Sequence, residues 1–161
     1  MINAAVTMTE TLLDEFYVIV RTTNNLLKKA DSSVYDFRPA DNMRSFLELA
    51  NHLVQIPHVD LAILQEKPEA DIRMLEAKMR AENAGELTHV LEEGYHLLKS
   101  YFLSLSQEDF LNKETKAFYA EKGMTQAKWL VEIVTHAFHH RGQLFTYLKQ
   151  TQHDVNMFDL Y

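Results

Sequence analysis

Glycine and proline are scarce in this chain: there are four glycines and three prolines in 161 residues. Sandwiches and barrels need such residues at every tight turn, so the scarcity directs the chain toward long helices. The apolar pattern agrees. Between Val6 and Lys29, residues Leu12, Leu13, Phe16, Val20 and Leu27 recur at helical spacing and predict a first long helix. It stops in a segment holding Asp31, Ser32, Ser33, Pro39 and Asp41, residues of breaker and capping chemistry. A second helix is predicted from about Met43 to Leu64, with Phe46, Leu49, His52, Leu53 and Ile56 on one stripe and a kink or break at Pro57.

Pro68 opens a short helix through about Arg80. A third long helix carries Leu87, Val90, Leu91, Tyr95, Leu98, Phe102 and Leu105 and ends near Ser106. The stretch from Gln107 to Gly123 reads as a loop with one helical turn. Thr125 is the predicted N-cap of the last long helix, which has Trp129, Ile133, His136, His140, Leu144 and Tyr147 on one face. The final residues are too apolar for a free polar arm and are expected to pack.

Four long amphipathic helices and one short one predict an all-α protein, a four-helix bundle with the short extra helix in a crossover link through Lys67 to Ala84. No repeat, linker or sustained heptad pattern divides residues 1–161, so a single domain is expected. The formal net charge of −7 repels nucleic acid and anionic lipid heads. No apolar run approaches the roughly 20 residues that span a bilayer, and the N-terminal MINAAVTMTE lacks the basic start of a signal peptide. A soluble cytoplasmic protein is the expectation.

Composition also narrows the chemistry. There is no cysteine, which removes thiol nucleophiles, disulfides, iron–sulfur ligation and cysteine zinc sites, and there are eight histidines. His136 and His140 are four residues apart, so their imidazoles can face one ion from one side of a helix, and that side is the apolar one. Two ligands rarely suffice. His52, on the core stripe of the second helix, is the candidate third, whereas His139 is rotated off the face, His58 follows the proline, His89 and His96 lie beside their stripe, and His153 is in the tail. Three histidines would leave coordination positions open, as in catalytic rather than closed structural sites. A histidine on an apolar stripe is equally an ordinary hydrogen-bonded core residue, and spacing alone leaves both readings standing. Ala137 occupies the place of the general base in a zincin HExxH motif, and Glu132 to His136 has the wrong spacing for a di-iron carboxylate site.

The segments FRPADNMRSFLELANHL and HAFHHRGQLFTYLKQ, with the chain length and the histidine layout, resemble the DinB family of damage-inducible bacterial proteins, which includes YfiT-like metal-dependent hydrolases. The most specific part is HxxxHRGQ joined to Ser45, Glu48, Leu49 and His52 upstream. The resemblance implies an up-down-down-up four-helix bundle, often a homodimer, with a divalent metal held by His52, His136 and His140. Zinc or nickel is the first expectation, with iron or manganese next. Relatives often have an acidic residue where this chain has Ala137. Some act as thiol S-transferases with low-molecular-weight thiols, so a hydrolase or thiol transferase acting on a small molecule is expected. The alternative is a non-catalytic bundle or dimer that the metal merely stabilises.

Neighbouring residues carry further expectations. Glu48 and Glu132, one turn before His52 and His136, are placed to orient an imidazole, or to lie solvated. Arg141 could clamp an anionic substrate or pair on the surface. Gly142 suggests close approach of another backbone, with Gln143 hydrogen bonding across it. Trp129, Phe138 and Tyr147 are candidates for a pocket wall or plain core.

Overall fold

The computed structural model describes residues 4–161; the first three residues of the N-terminal stretch considered above lie outside them. Six helices follow one another: α1 (Ala4–Lys29), α2 (Phe46–Leu64), α3 (Glu69–Lys78), α4 (Ala84–Ser104), α5 (Gln107–Asn112) and α6 (Gln126–Gln150). The protein is predominantly helical, with one two-stranded antiparallel ribbon formed by β1 (Glu114–Thr115) and β2 (Met124–Thr125).

Caps set the helix starts. Helix α2 begins at Phe46 rather than Met43 because Ser45 and Glu48 form a reciprocal capping box: the Glu48 amide donates to Ser45 Oγ (3.2 Å) and the Ser45 amide to Glu48 Oε2 (2.8 Å). Thr125 caps α6 as expected, accepting from the Lys128 amide at 3.3 Å. Ser106 starts α5 instead of closing α4, since its Oγ accepts from the Asp109 amide.

Pro57 does not break α2. The helix runs through it, and the proline is buried. An internal proline costs about 3 kcal/mol or more, which the apolar residues of the same helix offset: Phe46, Leu49, Leu53 and Ile56 are all buried, and each such side chain contributes about 1.5–3 kcal/mol.

Helices α1 and α2 each pack against both α4 and α6. Phe16 meets Tyr95, and Asn24 Nδ2 donates to Glu92. Asn51 exchanges hydrogen bonds with the backbone of Ala81, and His58 lies against Val90 and Gly94. Leu13, Phe16, Leu87, Leu98, Phe102, Ile133 and Leu144 fill the space between these helices.

The segment read as a loop holds α5 and the ribbon. Buried Gln126 ties it down, accepting from Tyr101 Oη (2.7 Å) and donating to Thr115 Oγ1 (3.0 Å), while Trp129 Nε1 donates to the Thr115 carbonyl. The C-terminal residues pack only in part: Val155 is buried and Asp159 pairs with Lys29 at 2.8 Å, while Met157, Phe158 and Tyr161 stay exposed. Among the described residues no helix is long and apolar enough to cross a membrane.

Candidate metal centre

Helices α2 and α6 bring His52, His136 and His140 together. The Nε2 atom of His52 lies 3.2 Å from that of His136 and 3.1 Å from that of His140, and one ligand atom from each of the three falls within 4.8 Å of the others. Imidazoles bound to one ion at about 2.0–2.1 Å stand roughly 2.9–3.4 Å apart, depending on coordination geometry. The observed spacing falls in that range.

Two of the rings are oriented from behind. Asp60 Oδ2 lies 3.1 Å from His136 Nδ1, and Gln143 Oε1 lies 2.7 Å from His140 Nδ1. A carboxylate only accepts, as does an amide oxygen, so each Nδ1 carries a proton, the tautomer whose Nε2 lone pair can turn inward. His52 has at most one proton to share between two lone pairs. Uncompensated lone pairs at 3.1–3.2 Å repel, and a cation at their focus removes the conflict. The donor set therefore fits a divalent ion.

Proton affinities point the same way. Burial pushes His52 down to about 3, with the charge of Arg44 and the other two imidazoles adding to it. Burial likewise pushes His140 down to about 4, against the opposing effect of the hydrogen bond it donates to Gln143. Both are neutral near pH 7, the form in which an imidazole can bind a metal. The cluster is not sealed: the His136 side chain is 35% exposed, and His52 lies on the wall of an open cleft of about 520 Å³.

The family model for the DinB family matches residues 3–161. The chain belongs to the DinB family. It is similar to the uncharacterized protein YjoA of Bacillus subtilis, 23% identical over 132 residues, spanning 81% of this chain and 82% of the relative. Among solved structures, a DinB-family protein from Exiguobacterium sibiricum superposes with a TM-score of 0.79 at 24% identity, covering 96% of this chain and 97% of that one. The structure of B. subtilis YjoA gives 0.69 at 21% identity, covering 92% and 96%. A DinB-like protein from Bacillus cereus gives 0.67 at 18%, covering 91% and 95%. At these identities the structural likeness establishes the DinB fold and leaves the chemistry to the residues.

Several neighbours of this DinB cluster behave differently from the sequence expectation. Glu48 does not orient His52; it completes the α2 cap and pairs with Arg38 at 2.8 Å. Glu132 pairs with Lys128 on the outer face of α6. Arg141 neither clamps a ligand nor sits on the surface. It is 3% exposed and donates to Thr22 Oγ1 (2.8 Å) and the Leu160 carbonyl (2.9 Å), locking the tail to α1 and α6. Gln143 makes no cross-backbone contact, because it is engaged with His140.

No backbone approaches Gly142: a Cβ there would meet nothing within 4 Å. The close approach belongs to Gly94, where a Cβ would stand 2.6 Å from His58 Cδ2. Trp129 and Tyr147 are buried, while exposed Phe138 lies over the Arg141 guanidinium. His58 and His153 serve local contacts with Val90 and Thr151, and His89, His96 and His139 are exposed.

Asp60 was missed from the sequence. The signal was present: a histidine ligand commonly donates its second N–H to a carboxylate, and Asp60 lies two turns beyond His52 once α2 is read through Pro57.

Proposed function

We propose that His52, His136 and His140 hold one divalent ion, zinc or nickel first, and that the protein is a metal-dependent hydrolase or thiol transferase acting on a small molecule. The observation that carries this reading is the convergence of three Nε2 atoms with two outer nitrogens engaged by Asp60 and Gln143. An ion bound there would supply Lewis-acid chemistry, polarising a carbonyl or lowering the pKa of a bound water or thiol. The chain contributes three neutral donors, which leave the ion's charge undiminished, and two acceptors that keep the rings turned inward. Any thiol must arrive with the substrate, because the chain has no cysteine.

The partial exposure of His136 and the cleft at His52 favour catalysis over a metal that only braces the helices, since a bracing site would be closed by a fourth protein ligand. An up-down-down-up four-helix bundle, a homodimeric state and a cytoplasmic location belong to the same proposal. The bundle order is supported by residue pairings. Contacts of Asn51 with Ala81, just before α4, and of His58 with Val90 advance together along the two segments, whereas those of α2 with α6 (Asp60 with His136, Arg44 with Tyr147) and of α1 with α4 (Asn24 with Glu92, Phe16 with Tyr95) run in opposition.

Metal analysis of untagged protein tests the assignment. Close to one equivalent of a divalent ion per chain is expected, lost in His52→Ala, His136→Ala and His140→Ala alike. Unchanged metal content in the triple variant would refute it.

A further inference from the structure

The cleft that reaches His52 carries three arginines on its wall, Arg38, Arg73 and Arg80, and three carboxylates, Asp36, Glu48 and Glu76. Balanced in this way, it favours neither a plain anion nor a plain cation. Most of that charge is committed internally: Arg38 pairs with Glu48, and Arg73 with Glu69 and Glu76. Two groups are not. Arg80 gives only Nε to Glu82, at 3.1 Å, and among the described residues its two terminal nitrogens have no partner. Asp36 is exposed, and its carboxylate has no hydrogen-bond or ion-pair partner among the described residues. Both are held to α2 through the backbone. The residues flanking Asp36 accept from its first turn, the Tyr35 carbonyl from the Leu47 amide (3.1 Å) and the Phe37 carbonyl from the Phe46 amide (2.9 Å). Ala81, next to Arg80, exchanges two 2.8 Å hydrogen bonds with Asn51. Asp36 and Arg80 thus join α2 about one turn apart, roughly 6 Å along its axis.

The cleft adjoins a smaller cavity. His52, Gln55 and Glu76 line both, and the smaller one, of about 10 Å³, also touches Asp60 and His136. It has room for about one water-sized group, beside two of the three clustered histidines. Gln55 stands at the junction. It is 8% exposed, its Nε2 donates to the Glu76 carbonyl at 3.2 Å, and its Oε1 has no partner among the described residues. A buried amide oxygen without a donor is an acceptor that a ligand can satisfy. The order along α2 follows: a free carboxylate beside Phe46 and Leu47, a free guanidinium beside Asn51, a free amide oxygen on Gln55, and the cavity at Asp60 and His136 beyond.

We propose that this cleft binds a small zwitterion of the amino-acid type, with its ammonium on Asp36, its carboxylate on Arg80 and its side chain running past Gln55 into the cavity at His52 and His136. The inference names the substrate class of the metal-dependent reading above, and rests on that reading only for what happens at the far end of the side chain. The terminal nitrogens of Arg80 suit the carboxylate because a planar fork matches its two oxygens in a pair. A simple anion would lack one anchor and meet Asp36, and a simple amine would lack the other and meet Arg80, so the wall rejects as well as attracts. The charged head is anchored before the histidines along α2. The group that reaches the cluster therefore belongs to the side chain.

The test titrates L-norleucine into the full chain without metal, alongside hexanoate, which lacks its ammonium, and pentylamine, which lacks its carboxylate. Binding is followed by NMR, through the ring protons of His52 and His136. Norleucine is expected to bind about tenfold more tightly than either control and to move the His136 signals. Arg80→Ala should weaken norleucine about tenfold and leave pentylamine no weaker, whereas Asp36→Asn should weaken norleucine about tenfold and leave hexanoate no weaker. Both side chains are exposed, so neither change threatens the fold. Norleucine binding that is absent, no tighter than that of the controls, or unaltered by the two substitutions overturns the proposal. Binding with the expected charge signature but with His136 unmoved overturns the route to the cluster, and the proposal with it. Because these titrations use metal-free protein, their failure is distinct from failure of the metal reading, which the metal content of the histidine variants decides.

Discussion

Replacing Gly94 by alanine should destabilise the protein, although alanine is the better helix former by about 1 kcal/mol. The reason is steric. A Cβ at position 94 meets His58 Cδ2 at 2.6 Å, His58 Nε2 at 3.0 Å and Pro57 Cβ at 3.1 Å. Neither neighbour can swing away, because Pro57 is a ring fixed to the α2 backbone and His58 is held 3.2 Å from the Val90 carbonyl. Helices α2 and α4 must separate. Overpacking of this kind costs about 1–3 kcal/mol; the upper half of that range, less the propensity gain, leaves a net loss of about 1–2 kcal/mol. Gly142→Ala is the matched control: with nothing within 4 Å, it should keep the propensity gain of up to about 1 kcal/mol.

At roughly 2–4 °C per kcal/mol for a chain of this size, Gly94→Ala should lower Tm by about 2–8 °C and Gly142→Ala should raise it by about 2–4 °C. Thermal and urea denaturation read both effects, and a double-mutant cycle tests the cause, since Gly94→Ala should cost less in a His58→Ala background. A Gly94→Ala protein as stable as wild type would refute the steric argument and the helix contact built on it.

Other outcomes follow from the site and the helix ends. His52 and His140 have folded-state proton affinities depressed to about 3 and about 4, so unfolding takes up protons. Their contribution to stability is complete above the unfolded value near 6.5 and is lost as pH falls through it toward 4. Urea unfolding of metal-free protein should therefore show stability falling between pH 7 and pH 4, by no more than about 1.4 kcal/mol per pH unit for each group and less where solvent screens the cluster; stability independent of pH across that interval would contradict the burial of these rings. Asp60→Ala should weaken metal binding about 10–100-fold by freeing the His136 ring, and a competition titration against a chelator that detects no change would assign Asp60 a surface role. Gln152, with φ of 62°, closes α6 in a left-handed conformation that glycine adopts freely. Gln152→Gly should stabilise the protein by about 1 kcal/mol in thermal melts, and a loss of stability would show that the Gln152 side chain matters more than its backbone strain.

Much of the fold was legible because it is local. Helical spacing of apolar residues located α1, α2, α4 and α6, Thr125 announced the start of α6, and Pro68 announced α3. Misreadings came where a local rule met tertiary packing. Pro57 is a helix breaker in isolation, yet burial between neighbouring helices carries α2 through it. The segment after Ser106 looked irregular because its order comes from Gln126 and Trp129, residues of the following helix.

The site divides along the same line. Three histidines on two apolar stripes are a property of spacing, so His52, His136 and His140 could be named from the sequence. Which side chains stand behind them could not. Asp60 reaches His136 across two helices, Gln143 turns back on His140, and Glu48 and Glu132 spend their charge on a cap and a lysine.

Periodicity along the chain is sufficient to choose helix faces, and so it determined the helices and the three histidines, while the absence of cysteine removed thiol chemistry from the chain itself. The register between helices is set by close packing, where one glycine or one ring decides which turns meet. Only the tertiary structure could therefore decide that Gly94 admits His58 and that Asp60 orients His136.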